Sequence, residues 1–252
     1  MGKIIALFNQ SGGVGKTTLT MNLGYQLAER GHRVLLVDMD PQASLTTFMG
    51  FDVSDQDKTI YNAIISEGDE PIPVLQAHQM NLSPANIMLA NAEQELILAD
   101  QRETRLKEPL SAIANDYDFI LIDCPPSLGI LSQISLIAAD YVLVPIQTQF
   151  KALMGTDSLL KTIKKIQRRL NKTLKIAGFC PTMYSPGNAL DQRTLEAITE
   201  QLAAIAPIFT PIPRATALAE ASEFGKPLAL SPKKNLSVLA ILTEIAIVLE
   251  QL

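Results

Sequence analysis

A chain of 252 residues, 47% hydrophobic and carrying a net charge of −5, can bury one large α/β core or two small ones. Its two cysteines, Cys124 and Cys180, make no disulfide framework, and its longest apolar stretches, 134–146 and 236–249, are interrupted by Asp140 and Glu244 and fall short of the ~20 residues a membrane-spanning helix needs. No secretory pattern opens the chain, so the composition reads as cytosolic.

Apolar runs predict strands at 3–8, 33–38, 80–84, 118–123, 141–145, 174–182 and 207–212. Helical patterns fall between them, at 17–30, 59–66, 88–115, 129–139, 153–170, 189–205, 215–224 and 234–250. The strands are near-continuous Val/Ile/Leu runs, which suits strands buried on both faces. This alternation predicts an α/β fold: a single domain over 1–252, with a mostly parallel sheet and helices on both of its faces. In such sheets ligands bind at the carboxyl ends of the strands.

The first strand runs into Asn9-Gln-Ser-Gly-Gly-Val-Gly-Lys-Thr-Thr18, and a helical pattern follows. A glycine-rich turn there leaves backbone N–H groups pointing at one spot, and the helix N-terminus adds its partial positive charge. Gly12, Gly13, Val14, Gly15, Lys16, Thr17 and Thr18 are therefore candidates to cradle phosphates. Lys16 supplies a cation for the β/γ-phosphates, and Thr17 offers a hydroxyl to Mg2+. Two positions depart from the usual pattern G-x-x-x-x-G-K-[ST]. Gln10 stands where glycine is expected, as a deviant form of the loop tolerates. That deviant form carries Lys where this chain has Ser11.

The second strand ends in Asp38-Met-Asp40. Two carboxylates two residues apart on an extended chain face the same side. Beside the loop they can hold Mg2+-bound water or orient an attacking water. The strand 118–123 ends in Asp123, the usual outer-sphere partner of Mg2+ in phosphate-loop proteins. Each aspartate alone could be a cap or a turn residue; three at strand ends, with Lys16-Thr17 nearby, point to a site.

Charge is unevenly distributed. Residues 1–150 hold 8 Lys+Arg against 18 Asp+Glu, and residues 151–252 hold 13 against 8. The basic half can present a phosphate-binding face or simply carry solvated helices. Within 159–172, Leu159, Ile163, Ile166 and Leu170 mark an apolar face. Lys161, Lys164, Lys165, Arg168, Arg169 and Lys172 share an outer stripe. Arg193, Arg214, Lys226, Lys233 and Lys234 could extend it.

These motifs resemble the ParA/MinD family of deviant Walker ATPases. So do Asn81-Leu-Ser-Pro-Ala-Asn86, Val144-Pro-Ile-Gln147, Pro181-Thr-Met-Tyr184 and Ile212-Pro-Arg214 with Leu218-Ala-Glu-Ala221. The resemblance covers nearly the whole chain. It implies a homodimer formed with ATP, non-specific DNA binding on the nucleoid, and slow Mg2+-dependent hydrolysis stimulated by an adaptor. It also implies that Asp40 orients the hydrolytic water, that Asp38 sits in the same switch, and that Met183 and Pro213 contact the adenine. In this family the lysine at the Ser11 position crosses the dimer interface to the partner's phosphates. Its loss leaves three readings open: a weak ATPase, a site that tolerates the loss, or another cation in its place. Lys151, shortly after the strand 141–145, is the candidate for that cation. Serine at position 11 resembles the McdA branch, which distributes carboxysomes with an adaptor, McdB. Plasmid or chromosome partition with a ParB-like adaptor is the alternative.

Three rivals remain. A MinD-like membrane role needs a basic amphipathic C-terminal helix. Here the segment after Lys234 carries only Glu244 and Glu250, and it reads as docked in the core. A cluster bridged across a dimer would use Cys124 and Cys180, which read better as small buried residues. A small-molecule ligase would need a substrate pocket.

Overall fold

The apolar runs form β1 (Lys3–Leu7), β2 (Val34–Asp38), β3 (Leu75–Ala77), β4 (Met80–Ser83), β5 (Phe119–Asp123), β6 (Tyr141–Gln147) and β7 (Lys175–Thr182). They make one seven-stranded sheet in the order β3-β4-β2-β5-β1-β6-β7, parallel throughout except for β3 against β4. The structure is a computed structural model that describes residues 2–55, 58–66 and 70–252, apart from the side chains of 55 and 150–154. The helices are α1 (Lys16–Glu29), α2 (Ser44–Phe48), α3 (Ile60–Ile65), α4 (Leu89–Leu98), α5 (Lys107–Ile113), α6 (Ile130–Ala138), α7 (Phe150–Arg169), α8 (Ala189–Leu202), α9 (Thr216–Glu223) and α10 (Leu236–Glu250).

The strand period of two sorts side chains into two cores. Ile4, Ala6, Leu35, Val37, Ile120 and Ile122 face α3 to α8. Ile5, Leu7, Val34, Leu36, Phe119 and Leu121 face α1, α2, α9 and α10. The parallel sheet is thus covered on both faces, as its sequence predicts. α10 buries Val238, Leu242, Ile245, Ala246 and Leu249, so it docks in the core as expected.

Three local expectations need correction, and two short elements, β3 and α2, had not been expected. The helix predicted over 88–115 is two helices: Gln101 turns left-handed at φ 51°, and the Arg105 guanidinium donates to the Asp100 carbonyl at 2.9 and 3.1 Å. Pro109 then sits in the first turn of α5, where it displaces no helical hydrogen bond. The strand predicted over 207–212 makes only an isolated bridge to β7, from Phe179 to Ile208. Pro207 and Pro211 lack the N–H groups a ladder needs. Strand β3 and helix α2 are too short to show a period. Leu170 is exposed, because α7 stops there; Asn171 turns inward instead and donates to the carbonyls of Leu136, Ile137 and Ala139.

Gly178 on β7 lets the segment after α8 lie close. A Cβ there would stand 2.4 Å from Phe209 Cε2 and 2.9 Å from the Pro207 carbonyl oxygen. Gly178→Ala should therefore cost about 1–3 kcal/mol by overpacking. An unchanged midpoint in urea unfolding would contradict this packing.

Candidate functional site

Three strands end on one line. Asp123, last in β5, lies opposite both Leu7 at the end of β1 and Asp38 at the end of β2. The chain therefore leaves β1 level with two carboxylates and turns through the glycine loop into α1. Gly13 and Gly15 hold φ values of 72° and 92°, which a side chain would strain. Gly15 precedes α1 and offers no side-chain cap, and no acidic residue occupies the first turn. The first N–H groups of α1 are left for an anion.

Side chains around the loop hold its shape. Asn9 Nδ2 donates to the Pro145 carbonyl at 2.6 Å, and its Oδ1 accepts the Ser11 N–H at 2.9 Å. Thr182 Oγ1, at the end of β7, donates to the Val14 carbonyl at 2.9 Å. Lys16 is buried and donates from Nζ to the Ser11 carbonyl at 2.9 Å. Burial lowers its pKa, and the nearby Asp123 charge opposes that shift.

The two aspartates after β2 divide sharply. Asp38 is fully buried, and its Oδ2 accepts the Thr46 N–H at 2.9 Å and the Thr46 hydroxyl at 2.8 Å. Its Oδ1 accepts the Asp40 N–H at 3.2 Å. Burial pushes its carboxyl up to about 6, against the pull of these bonds. Asp38 thus holds the start of α2. Asp40 instead stands in the wall of the loop cavity, with Oδ1 accepting the Gln42 N–H at 3.0 Å.

Asp123 is buried too. Burial first, then the Asp38 charge, raises its pKa well above the carboxylate range, while the Thr17 hydroxyl and Lys16 pull it down. Its Oδ1 lies 3.5 Å from the Thr20 hydroxyl, and its Oδ2 has no hydrogen-bond partner among the described residues. An orphaned carboxylate oxygen beside a loop threonine fits a hard divalent cation, or water bound to one. These residues therefore suit the Mg2+ expected from the sequence.

The cavity in front of the loop, about 350 Å³, is lined by Gly12, Gly13, Gly15, Lys16, Thr17, Thr18 and Asp40, with Ser44, Phe48, Pro126 and Met183. A second cavity of about 280 Å³ shares Gly15, Thr18 and Met183, then runs between Leu19, Ile212, Pro213 and Leu218. A polar chamber opening into an apolar slot suits a polyphosphate joined to a flat base. Met183 sits at the junction with φ 56°, a strained value for a side chain with a Cβ.

Nearly all the expected site residues converge here. Val14 is an exception, with its side chain buried, and Asp38 and Asp123 are buried without lining either cavity. Lys151 falls in the first turn of α7, which starts three residues earlier than predicted; its side chain lies outside those described. Sequence reasoning missed Thr182, Ser44 and Phe48. Thr182 was within reach, because it closes a predicted strand.

The outer stripe forms on α7 as expected up to Arg169, and Lys172 lies past the end of the helix. Lys161, Lys164, Lys165, Arg168, Arg169 and Lys172 are exposed, and none is in an ion pair among the described residues. Two supposed extensions differ: Arg214 lines the apolar cavity, and Lys233 pairs with Glu220 at 3.1 Å. Both cysteines are buried, with burial pushing each thiol up to about 12, so neither is placed to bridge a cluster at a dimer surface. Among the described residues no helix is long and apolar enough to cross a membrane.

Known proteins are similar to this chain in sequence and fold. A family model described as an AAA domain matches residues 2–176. The sporulation initiation inhibitor protein Soj of Bacillus subtilis is 42% identical over 91% of both chains. The chromosome partitioning protein ParA of Myxococcus xanthus is 40% identical over 93% of this chain and 83% of its own. Among solved structures, cobyrinic acid a,c-diamide synthase from Mycobacterium smegmatis, with a bound ATP analog and magnesium, superposes with a TM-score of 0.81. It is 36% identical, covering 89% of this chain and 93% of its own. Apo McdA from Cyanothece shares the fold at a TM-score of 0.88, with 24% identity over 99% of this chain and 100% of its own. By sequence, loop geometry and sheet order, the chain belongs to the ParA/MinD family of P-loop ATPases.

Proposed function

We propose that this ATPase is a positioning switch. ATP with Mg2+ drives homodimerisation, the dimer holds DNA without reading its sequence, and an adaptor protein stimulates hydrolysis. The observation that carries this reading is the pairing of a cavity lined by the loop glycines, Lys16 and Thr17 with a basic stripe on α7. The loop N–H groups and Lys16 hold the phosphates, and Met183 and Pro213 flank the base. Thr17 and Asp123 would hold Mg2+, directly and through its water. Bound there, the ion would neutralise phosphate charge. Asp40 orients the attacking water, while Asp38 acts one step back by fixing α2.

Relatives named for chromosome partitioning support a DNA-borne cargo with a ParB-like adaptor. The carboxysome reading, with an McdB-like adaptor, rests on Ser11, because likeness to McdA at 24% identity speaks for the fold alone. A ligase role is the rival that the diamide synthase likeness raises. Turnover that rises with DNA and adaptor, with no acceptor molecule consumed, separates the two.

The division between the aspartates is testable. Asp40→Ala should lower turnover on the order of 100-fold by removing the group that positions water, and leave the unfolding midpoint unchanged. Asp38→Ala should cost about 1–3 kcal/mol of stability, since the buried Thr46 N–H loses its acceptor. An Asp38→Ala protein as stable as the parent overturns this assignment.

Lys151→Ala should abolish ATP-dependent dimerisation in sedimentation, along with turnover. Full activity in that variant would leave Ser11 uncompensated and sink the replacement idea.

DNA binding with ATP should fall steeply with salt. Replacing Lys161, Lys165 and Arg168 together by alanine should flatten the slope of log K against log salt by about 3, equally on unrelated sequences. Sequence-dependent loss, or none, would refute the stripe.

A further inference from the structure

The ordinary phosphate loop has glycine where this chain has Gln10, and the structure gives that side chain a specific contact. Gln10 Nε2 donates to the Gly155 carbonyl in the second turn of α7 at 3.1 Å. Its neighbours cannot serve: Asn9 is committed to Pro145, and the Ser11 N–H to Asn9. Gly155 suits the approach, since a Cβ there would meet Gln10 Nε2 at 3.2 Å. Gln10 Oε1 is buried without a hydrogen-bond partner among the described residues, so the amide is held there by the Nε2 bond. Lys151 is four residues before Gly155, about one helical turn nearer the N-terminus of α7.

We propose that Gln10 is a positioning residue: its amide fastens the first turns of α7 to the phosphate loop and so sets where Lys151 stands relative to the nucleotide. This rests on the reading of Lys151 as the cation that replaces the lysine missing at Ser11. The bond makes α7 follow the loop when the loop closes on phosphate. Farther along, α7 packs on the core through Leu159, Leu160, Ile163 and Ile166.

The test uses the full chain with three variants. Gln10→Met keeps the length and removes the donor. It should raise the ATP concentration for half-maximal dimerisation about tenfold, while ADP affinity of the monomer and the melting temperature move little. Gly155→Ala should do the same more weakly, and it should raise the melting temperature, because alanine favours the helix. A loop that merely lost structure would lower ADP affinity and melting temperature together. If Lys151→Ala dimerises normally, the underlying reading fails, whatever Gln10 does. If Lys151→Ala loses dimerisation but Gln10→Met matches the parent, the positioning role is overturned.

Discussion

The site depends on one constraint: β1, β2 and β5 are neighbours that end in register. Leu7, Asp38 and Asp123 therefore finish at one level, and the loop must emerge beside two buried carboxylates. Burial pushes both groups toward the protonated form, and the Asp38 charge adds to the shift of Asp123. The protein manages the two differently. Asp38 receives three hydrogen bonds and becomes structural. Asp123 keeps one oxygen without a partner, beside Thr17 and Lys16.

The bonds to Asp38 reach further than α2. The Thr46 hydroxyl that donates to Asp38 also accepts the Ala85 N–H at 3.0 Å, just past β4. A carboxylate at the end of β2 thereby ties the segment bearing Asp40 to the adjacent strand. On the other side, Thr182 ties the end of β7 to the loop, and Met183 follows at once with its strained backbone. The phosphate chamber and the apolar slot are therefore braced from opposite flanks of the sheet. A change in loop shape is felt by both.

Much of this was legible in the sequence, for physical reasons. Strands buried on both faces declare themselves as unbroken apolar runs, and the glycine loop follows β1 because its backbone geometry demands glycine. Asp38 and Asp40 could not be ranked from a period of two, which puts both on one side. The structure separates them because Asp38 is still in the ladder and capped by Thr46, while Asp40 is past it. The segment 207–212 reads as a strand by hydropathy, yet its prolines deny it a ladder. The break within 88–115 was invisible, since Gln101 is not a residue that announces a left-handed turn. Gln10 read as a blemish in a motif because its partner, Gly155, is 145 positions away.

A net charge of −5 does not decide whether such a protein meets DNA. At physiological ionic strength a charge is felt over ~8 Å, so a phosphate backbone responds to the patch it touches rather than to the total. The acidic excess belongs to residues 1–150, while α7 gathers five exposed cations, with Lys172 just past its end, along one helix that leads back to the phosphate loop. Segregation also restricts orientation: polyanions approaching the acidic half are repelled, and those approaching α7 are drawn in. On the function proposed above, nucleic acid would thus meet this protein on one face only. A two-state positioning device needs such one-sided binding, because the face left free must remain available to the protein that triggers hydrolysis.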